Sequence, residues 1–371
     1  MTDPAPRGGI RAAVERIVPY QPGKPVEEVQ RELGLERVVK LASNEGPFGL
    51  FPGAAQAVQR ALAESNRYPD AGCHRLRVAL AERHAVEYSQ VVVCAGGDAV
   101  IGNLAQALLE PGDEMVMGWP SFVTYLLEAW KAGATPVQVP LRAHRYDLDA
   151  LLAAITKKTK LVCIASPNNP TGTLSTRAEL DGYFAAVPPH VTTILDQAYF
   201  EYVDDEQNPD GIAEYLRTGG RVVIVRTFSK IYGLASLRVG YGVAPPDLAE
   251  AMLKVRRPFD VSTVAQEAAL ASLDDTGELE RRRTCNREAM TALLAVLRRH
   301  GLEPVEPAAA NFAFVEVDDA PALADRLLRL GVIVRPAGPF GAPRGLRISA
   351  GTLEEIGVLD AALEAALAGD R

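Results

Sequence analysis

Hydrophobic residues along this chain fall into two alternating patterns. Short, nearly continuous apolar runs occur at Val91–Cys94, Glu114–Gly118, Pro136–Leu141, Lys160–Ser166, Thr192–Asp196, Val222–Phe228 and Val239–Ala244. Between several of them lie Ala- and Leu-rich stretches, such as Ala99–Leu109 and Phe122–Ala132, with apolar residues at i, i+3 and i+4. The runs predict strands buried on both faces, and the stretches between them predict helices. Alternation of the two predicts an α/β fold around a mostly parallel, seven-stranded sheet covered on both sides. In such sheets ligands bind beyond the carboxyl ends of the strands, so the residues after each run are where chemistry is expected.

After about Pro258 the pattern resets. A helical region, roughly Val264–His300, carries the charged cluster Glu278–Arg283. It is followed by a strand at Asn311–Val317, a helix at Ala320–Leu330, strands near Val332–Arg335 and Leu346–Ser349, and a final helix. This predicts a smaller C-terminal α/β domain. The first 40 residues, with Pro19, Pro22 and Pro25, read as an arm and linker. The expected division is therefore an arm (1–40), a large domain (41–257) and a small domain (258–371), with the site between the two domains.

Composition narrows the picture only slightly. The 371 residues are 48% hydrophobic and 23% charged, ordinary for a soluble globular chain. A net charge of −8 argues against a broad nucleic-acid-binding surface. Cys73, Cys94, Cys163 and Cys285 are too scattered for a disulfide framework or a metal knuckle, which fits a reducing cytoplasm. The five histidines lack metal-ligand spacing, so no metal is expected. The first nine residues have no apolar core that would read as a signal peptide, and no apolar stretch reaches membrane-spanning length.

Three segments after predicted strands carry candidate chemistry. Ser166-Pro-Asn-Asn-Pro-Thr-Gly172 is a rigid turn that could equally be an ordinary loop. Ile194-Leu-Asp-Gln-Ala-Tyr199 puts a carboxylate at a strand end, where it either faces solvent or pairs with a cation. Val225-Arg-Thr-Phe-Ser-Lys230 ends in hydroxyls and a lysine, with Arg238 following; a buried lysine beside other cations becomes a nucleophilic amine.

In this order and spacing, the three segments resemble those of the fold type I pyridoxal-phosphate (PLP) aminotransferases, and within them the histidinol-phosphate aminotransferase family. The resemblance spans nearly the whole chain, from Val18–Gly23 through Leu41–Glu45, Arg67–Asp70 and Gly233–Gly240 to Asn311-Phe and Arg347-Ile-Ser. It implies PLP as cofactor, with Lys230 as the Schiff-base lysine and proton carrier. Asp196 would partner the pyridine nitrogen, while Tyr199 and Asn169 bond O3′. Gly97 and Asp98 at a helix start, with Thr227, Ser229 and Arg238, would hold the phosphate. Tyr68 would reach the phosphate of a neighbouring subunit, implying a homodimer. Phe122 falls where the family stacks an aromatic ring on the cofactor, although a Phe after a strand also reads as core. Arg347 would clamp the substrate carboxylate, with Tyr20, Asn44, Asn169 and Arg335 as further substrate contacts. Arg335 equally reads as an exposed charge after a strand.

Three positions depart from the family's usual residues, namely Ala99, Gln197 and Ser236. They leave the assigned cofactor groups in place and bear on substrate identity. The implied reaction is ping-pong transfer from histidinol phosphate to 2-oxoglutarate. The Ala42–Phe48 neighbourhood also resembles aromatic-amino-acid aminotransferases. A PLP decarboxylase or lyase acting on a phosphorylated amino acid would use the same cradle. A sensor domain of a transcription regulator would need a further, basic DNA-binding domain.

Overall fold

The computed structural model describes residues 9–15, 17–19, 23–204 and 206–368. Its strands in chain order are β1 (Val39–Lys40), β2 (Val91–Cys94), β3 (Glu114–Trp119), β4 (Thr135–Pro140), β5 (Thr159–Ala165) and β6 (Thr192–Asp196). Then come β7 (Val222–Thr227), β8 (Gly240–Val243), β9 (Phe312–Glu316), β10 (Val332–Ile333), β11 (Arg335–Pro336) and β12 (Gly345–Ser349). The seven apolar runs form one sheet in the order β2-β8-β7-β6-β5-β3-β4. Only β8 runs antiparallel to its neighbours, so the other six strands all point their carboxyl ends the same way. Residues of β2 and β5–β8 are almost entirely buried, as continuous apolar strands require when both faces are covered.

Two large hydrophobic clusters organise the molecule. The first surrounds the seven-stranded sheet. The second holds β9 and β12 together with the helices Thr276–Arg299, Ala320–Arg329 and Leu353–Leu367. Val39 and Leu41 also belong to the second cluster, so the chain reaches the large sheet from the smaller part.

Three expected elements differ in detail. The helical region Val264–His300 is two helices, Thr263–Asp274 and Thr276–Arg299, because the Asp275 side chain accepts from the Glu278 N–H and starts the second one afresh. The first of these buries Ala265, Ala268, Ala269 and Leu273 in the large cluster. The strand expected near Val332–Arg335 splits. β10 pairs in parallel with β1, whereas β11 pairs antiparallel with β12 in another sheet. Finally, the N-terminal region contains the helix Val26–Leu33, whose Val29 is buried against Ala42 and Ile333.

Candidate active site

The carboxyl ends of β2, β3, β5, β6 and β7 converge on a cleft of about 1300 Å³. Lys230, Asp196, Tyr199, Asn169, Phe122, Thr227, Ser229, Gly97, Asp98 and Arg238 all line it, so positions from 97 to 238 of the sequence meet there.

Asp196, the last residue of β6, is 7% exposed. Its Oδ2 accepts from the Tyr125 hydroxyl at 2.7 Å and its Oδ1 from the Ala198 N–H at 3.0 Å. Burial raises its carboxyl above the ordinary range, while those two hydrogen bonds and the Lys230 charge act in the opposite direction. Lys230 follows β7, and its Nζ donates to the Ser43 carbonyl at 3.4 Å and lies 5.5 Å from the Tyr199 ring centre. The Tyr199 hydroxyl accepts from Asn44 Nδ2 at 2.8 Å, which leaves its own proton for another acceptor.

Asn44 is fixed in turn. Its N–H donates to Ser349 Oγ at 2.8 Å, its Oδ1 accepts from that hydroxyl at 3.0 Å, and its carbonyl accepts from Asn311 Nδ2 at 3.1 Å. Its φ of +54° is a left-handed conformation that Asn tolerates better than most residues. On β12, the buried Arg347 donates through Nη1 to Asn169 Oδ1 and through Nη2 to the Ala42 carbonyl at 2.6 Å. The smaller part of the molecule thus buttresses the cleft from outside its lining, Arg347 through Asn169, and Ser349 and Asn311 through Asn44 and its bond to Tyr199.

The opposite end is built for an anion. The helix Gly97–Leu108 begins directly after β2, so its first N–H groups and its dipole face the cleft. Gly96 has φ +95°, and a Cβ there would overlap the Arg238 guanidinium and the Asp98 carboxylate. Arg238 Nη2 donates to Asp98 Oδ1 at 2.8 Å; both side chains are 48% exposed. Thr227 Oγ1 accepts from the Ser229 N–H at 3.1 Å, which fixes the turn that carries Lys230.

Other expected positions lie elsewhere or do something different. Tyr68 is 82% exposed and stacks on Phe259 at 4.7 Å, away from the cleft lining. Arg335 is buried rather than exposed. It sits directly opposite Arg347 in the β11–β12 ladder, and both guanidiniums lie over the Phe340 ring, at 5.4 and 5.3 Å. Tyr20 lies outside the described residues. Ala99 lines the cleft and Ser236 is exposed. Gln197 is fully buried and does not line the cleft. Its Oε1 accepts from Arg226 Nη2 at 2.8 Å and the Gly211 N–H at 3.2 Å, and its Nε2 donates to the Pro209 carbonyl at 2.8 Å.

Sequence reasoning missed Tyr125 and Ser43. Tyr125 sits in an amphipathic helix, Val123–Ala132, where an inward aromatic reads as core; its spacing of three from Phe122 was the available signal. Ser43 acts through its backbone carbonyl, which no side-chain pattern reveals. Among the described residues no cluster of His, Cys, Asp and Glu could hold a metal ion.

The sequence model of the family "aminotransferase class I and II" covers residues 36–363. The chain is 45% identical to histidinol-phosphate aminotransferase of Moorella thermoacetica, covering 92% of this chain and 89% of that protein. It is 44% identical to histidinol-phosphate aminotransferase 1 of Cupriavidus pinatubonensis, covering 95% of each. Its fold superposes on the crystal structure of histidinol-phosphate aminotransferase from Sinorhizobium meliloti, in complex with pyridoxal-5′-phosphate, with a TM-score of 0.90. That match has 28% identity and covers 99% of this chain and 100% of the other.

Proposed function

The chain belongs to the class I and II aminotransferases, and from that premise we propose that it is a PLP-dependent enzyme moving the amino group of histidinol phosphate to 2-oxoglutarate. The observation that carries the cofactor is the placement of Lys230 in one cleft with a buried carboxylate and an anion cradle. The residues fit PLP: Asp196 for the ring nitrogen, Tyr199 and Asn169 for O3′, and Gly97, Asp98, Thr227, Ser229 and Arg238 around the phosphate. Phe122, at the mouth of the helix Val123–Ala132, would cover the ring face.

When bound, PLP supplies an electron-withdrawing ring that stabilises negative charge at the substrate Cα. The protein's own groups do the rest. The Lys230 amine is the group that would take the proton from the substrate Cα and hold it for return, since its Nζ stands in the cleft beside the Tyr199 ring and the Ser43 carbonyl. The Asp196 carboxylate, held by the Tyr125 hydroxyl and the Ala198 N–H, would stand against the ring nitrogen and favour its protonated form. Tyr199, its lone pair occupied by Asn44, directs its proton outward to a phenolic oxygen. Arg347 offers a planar fork to the substrate carboxylate and, through Asn169, ties that contact to the cofactor.

The donor assignment rests on the two relatives above, at 44–45% identity over more than nine-tenths of the chain. The opposed guanidiniums of Arg335 and Arg347 support it, since they suit a substrate with more than one negative charge. The test mixes the PLP form with a panel of amino donors in single turnovers. Conversion to pyridoxamine phosphate by histidinol phosphate but not phenylalanine is expected; the reverse would replace the donor by an aromatic amino acid.

Tyr68 is assigned to a partner subunit in a homodimer, which its exposure and its distance from its own cleft support. A cytoplasmic location fits four free cysteines, and no helix among the described residues is long and apolar enough to cross a membrane. The division into arm, large domain and small domain is proposed with one adjustment. Because the helix Thr263–Asp274 packs in the large cluster, the second boundary is drawn at Asp275 rather than at 257.

A further inference from the structure

Tyr125 is one of the largest fully buried side chains of the protein, and its hydroxyl is spent entirely on Asp196 Oδ2, at 2.7 Å. It stands on the helix Val123–Ala132, just after its N-cap residue Phe122, whose ring meets it edge-on at 5.7 Å and 89°. One side chain therefore touches both groups assigned to the cofactor ring, the residue at its face and the carboxylate at its nitrogen. From this geometry we infer that Tyr125 is the positioning residue of Asp196, holding the carboxylate ionised and aimed while its ring props Phe122. The inference rests on the reading of Asp196 as the nitrogen's partner.

The physical argument is one of selection among states. A carboxylate buried in apolar surroundings takes up a proton unless donors hold its charge. The donors here are the Ala198 N–H on Oδ1 and the Tyr125 hydroxyl on Oδ2. Tyr125 cannot release its own proton to compete, because burial and the adjacent carboxylate raise its hydroxyl well above the ordinary value. The other ionisable groups acting on Asp196 are Lys230, which favours its charge, and Asp98, which opposes it. Tyr146 and Cys163, also close, stay neutral because burial raises both. Removing the Tyr125 hydroxyl leaves one donor on the carboxylate and moves the shared proton from the ring nitrogen towards Asp196.

The test compares three variants loaded with PLP labelled with ¹⁵N in the ring. Tyr125→Phe keeps the ring and its packing. It is expected to move the ¹⁵N signal towards the unprotonated position and to release cofactor about tenfold faster, as loss of one charge-assisted hydrogen bond implies. Tyr183→Phe is the control. Tyr183 is equally buried and bonds Thr193 Oγ1 at 3.0 Å on the same strand, but faces no cofactor group. It should leave both readouts unchanged. Asp196→Asn should shift the ¹⁵N signal further than Tyr125→Phe does. An unshifted signal and unchanged release in Tyr125→Phe, or the same changes in Tyr183→Phe, would overturn the role of Tyr125 alone. A signal unmoved in Asp196→Asn would instead overturn the reading of Asp196 and this inference with it.

Discussion

Asp196 and Asp98 stand at opposite ends of one cleft and meet their charge in opposite ways. Asp196 is buried, and its oxygens are held by a tyrosine hydroxyl and a backbone N–H rather than by a salt bridge. Asp98 is half-exposed and pairs with the equally exposed Arg238. At the first site two donors on a buried side chain fix the orientation of the carboxylate before any ligand arrives. At the second the pair is screened, and Arg238 can exchange a carboxylate for a phosphate at little cost. The end proposed for the ring nitrogen is prearranged, whereas the end proposed for the phosphate is exchangeable.

That contrast can be broken or sharpened by experiment. Lys230→Ala removes the group that both ends serve. It should abolish transamination and the borohydride-reducible link to PLP, and a reducible link surviving in the variant would refute the assignment. Asp196→Ala deletes the buried charge. It should lower kcat by on the order of 10³, the size expected when one partner of a buried charged contact is lost. Steady-state kinetics of the saturated holoenzyme would measure it, and a loss below tenfold would erase the contrast. Asp98→Ala, by comparison, should change PLP affinity less than about fivefold, as for an exposed ion pair. Equilibrium dialysis tests this; a hundredfold loss would mean the phosphate end is as prearranged as the other.

The smallest effect is thermal. The folded-state carboxyl of Asp196 lies above its unfolded value of about 3.9. A raised acid is a burden only when ionised, so the apoprotein loses this contribution as pH rises from the unfolded value through the folded one. A cationic ring nitrogen offsets the burden only in that higher range. The rise in Tm on adding PLP should therefore grow as pH increases above the unfolded value of about 3.9 in calorimetry, and the opposite trend would break the account.

The sheet and the glycine-led helix start after β2 were legible in the chain because each depends on local signals. Most of the seven sheet strands are short, largely apolar runs, and a glycine pair opens a helix directly after one of them. The groups that support Asp196 and Asn44 were not. Tyr125 looks like any inward aromatic of an amphipathic helix, and Ser349 and Asn311 act on Asn44 across separations of 305 and 267 residues. β1 and β10, two residues each, are too short to show a period and exist only because they pair. The Asp275 break was written as Asp275-Thr-Gly-Glu278, an N-cap signal hidden between two helical patterns that run on either side of it.

The ladder between β11 and β12 turns selectivity into a question of parity. Arg335 and Arg347 share a face only because they are direct antiparallel partners. Successive residues of a strand point to opposite faces, so a slip of one position would send one guanidinium to the far side of the sheet without changing a single amino acid in contact with substrate. The connection from Ala337 to Arg344 thus acts as a counting device. An insertion or deletion of one residue there, far from the reacting atoms, should separate the two charges as surely as replacing an arginine. On the proposed reading of Arg335 and Arg347 as substrate contacts, the length of a loop, and not only the identity of its neighbours, sets which substrate is accepted.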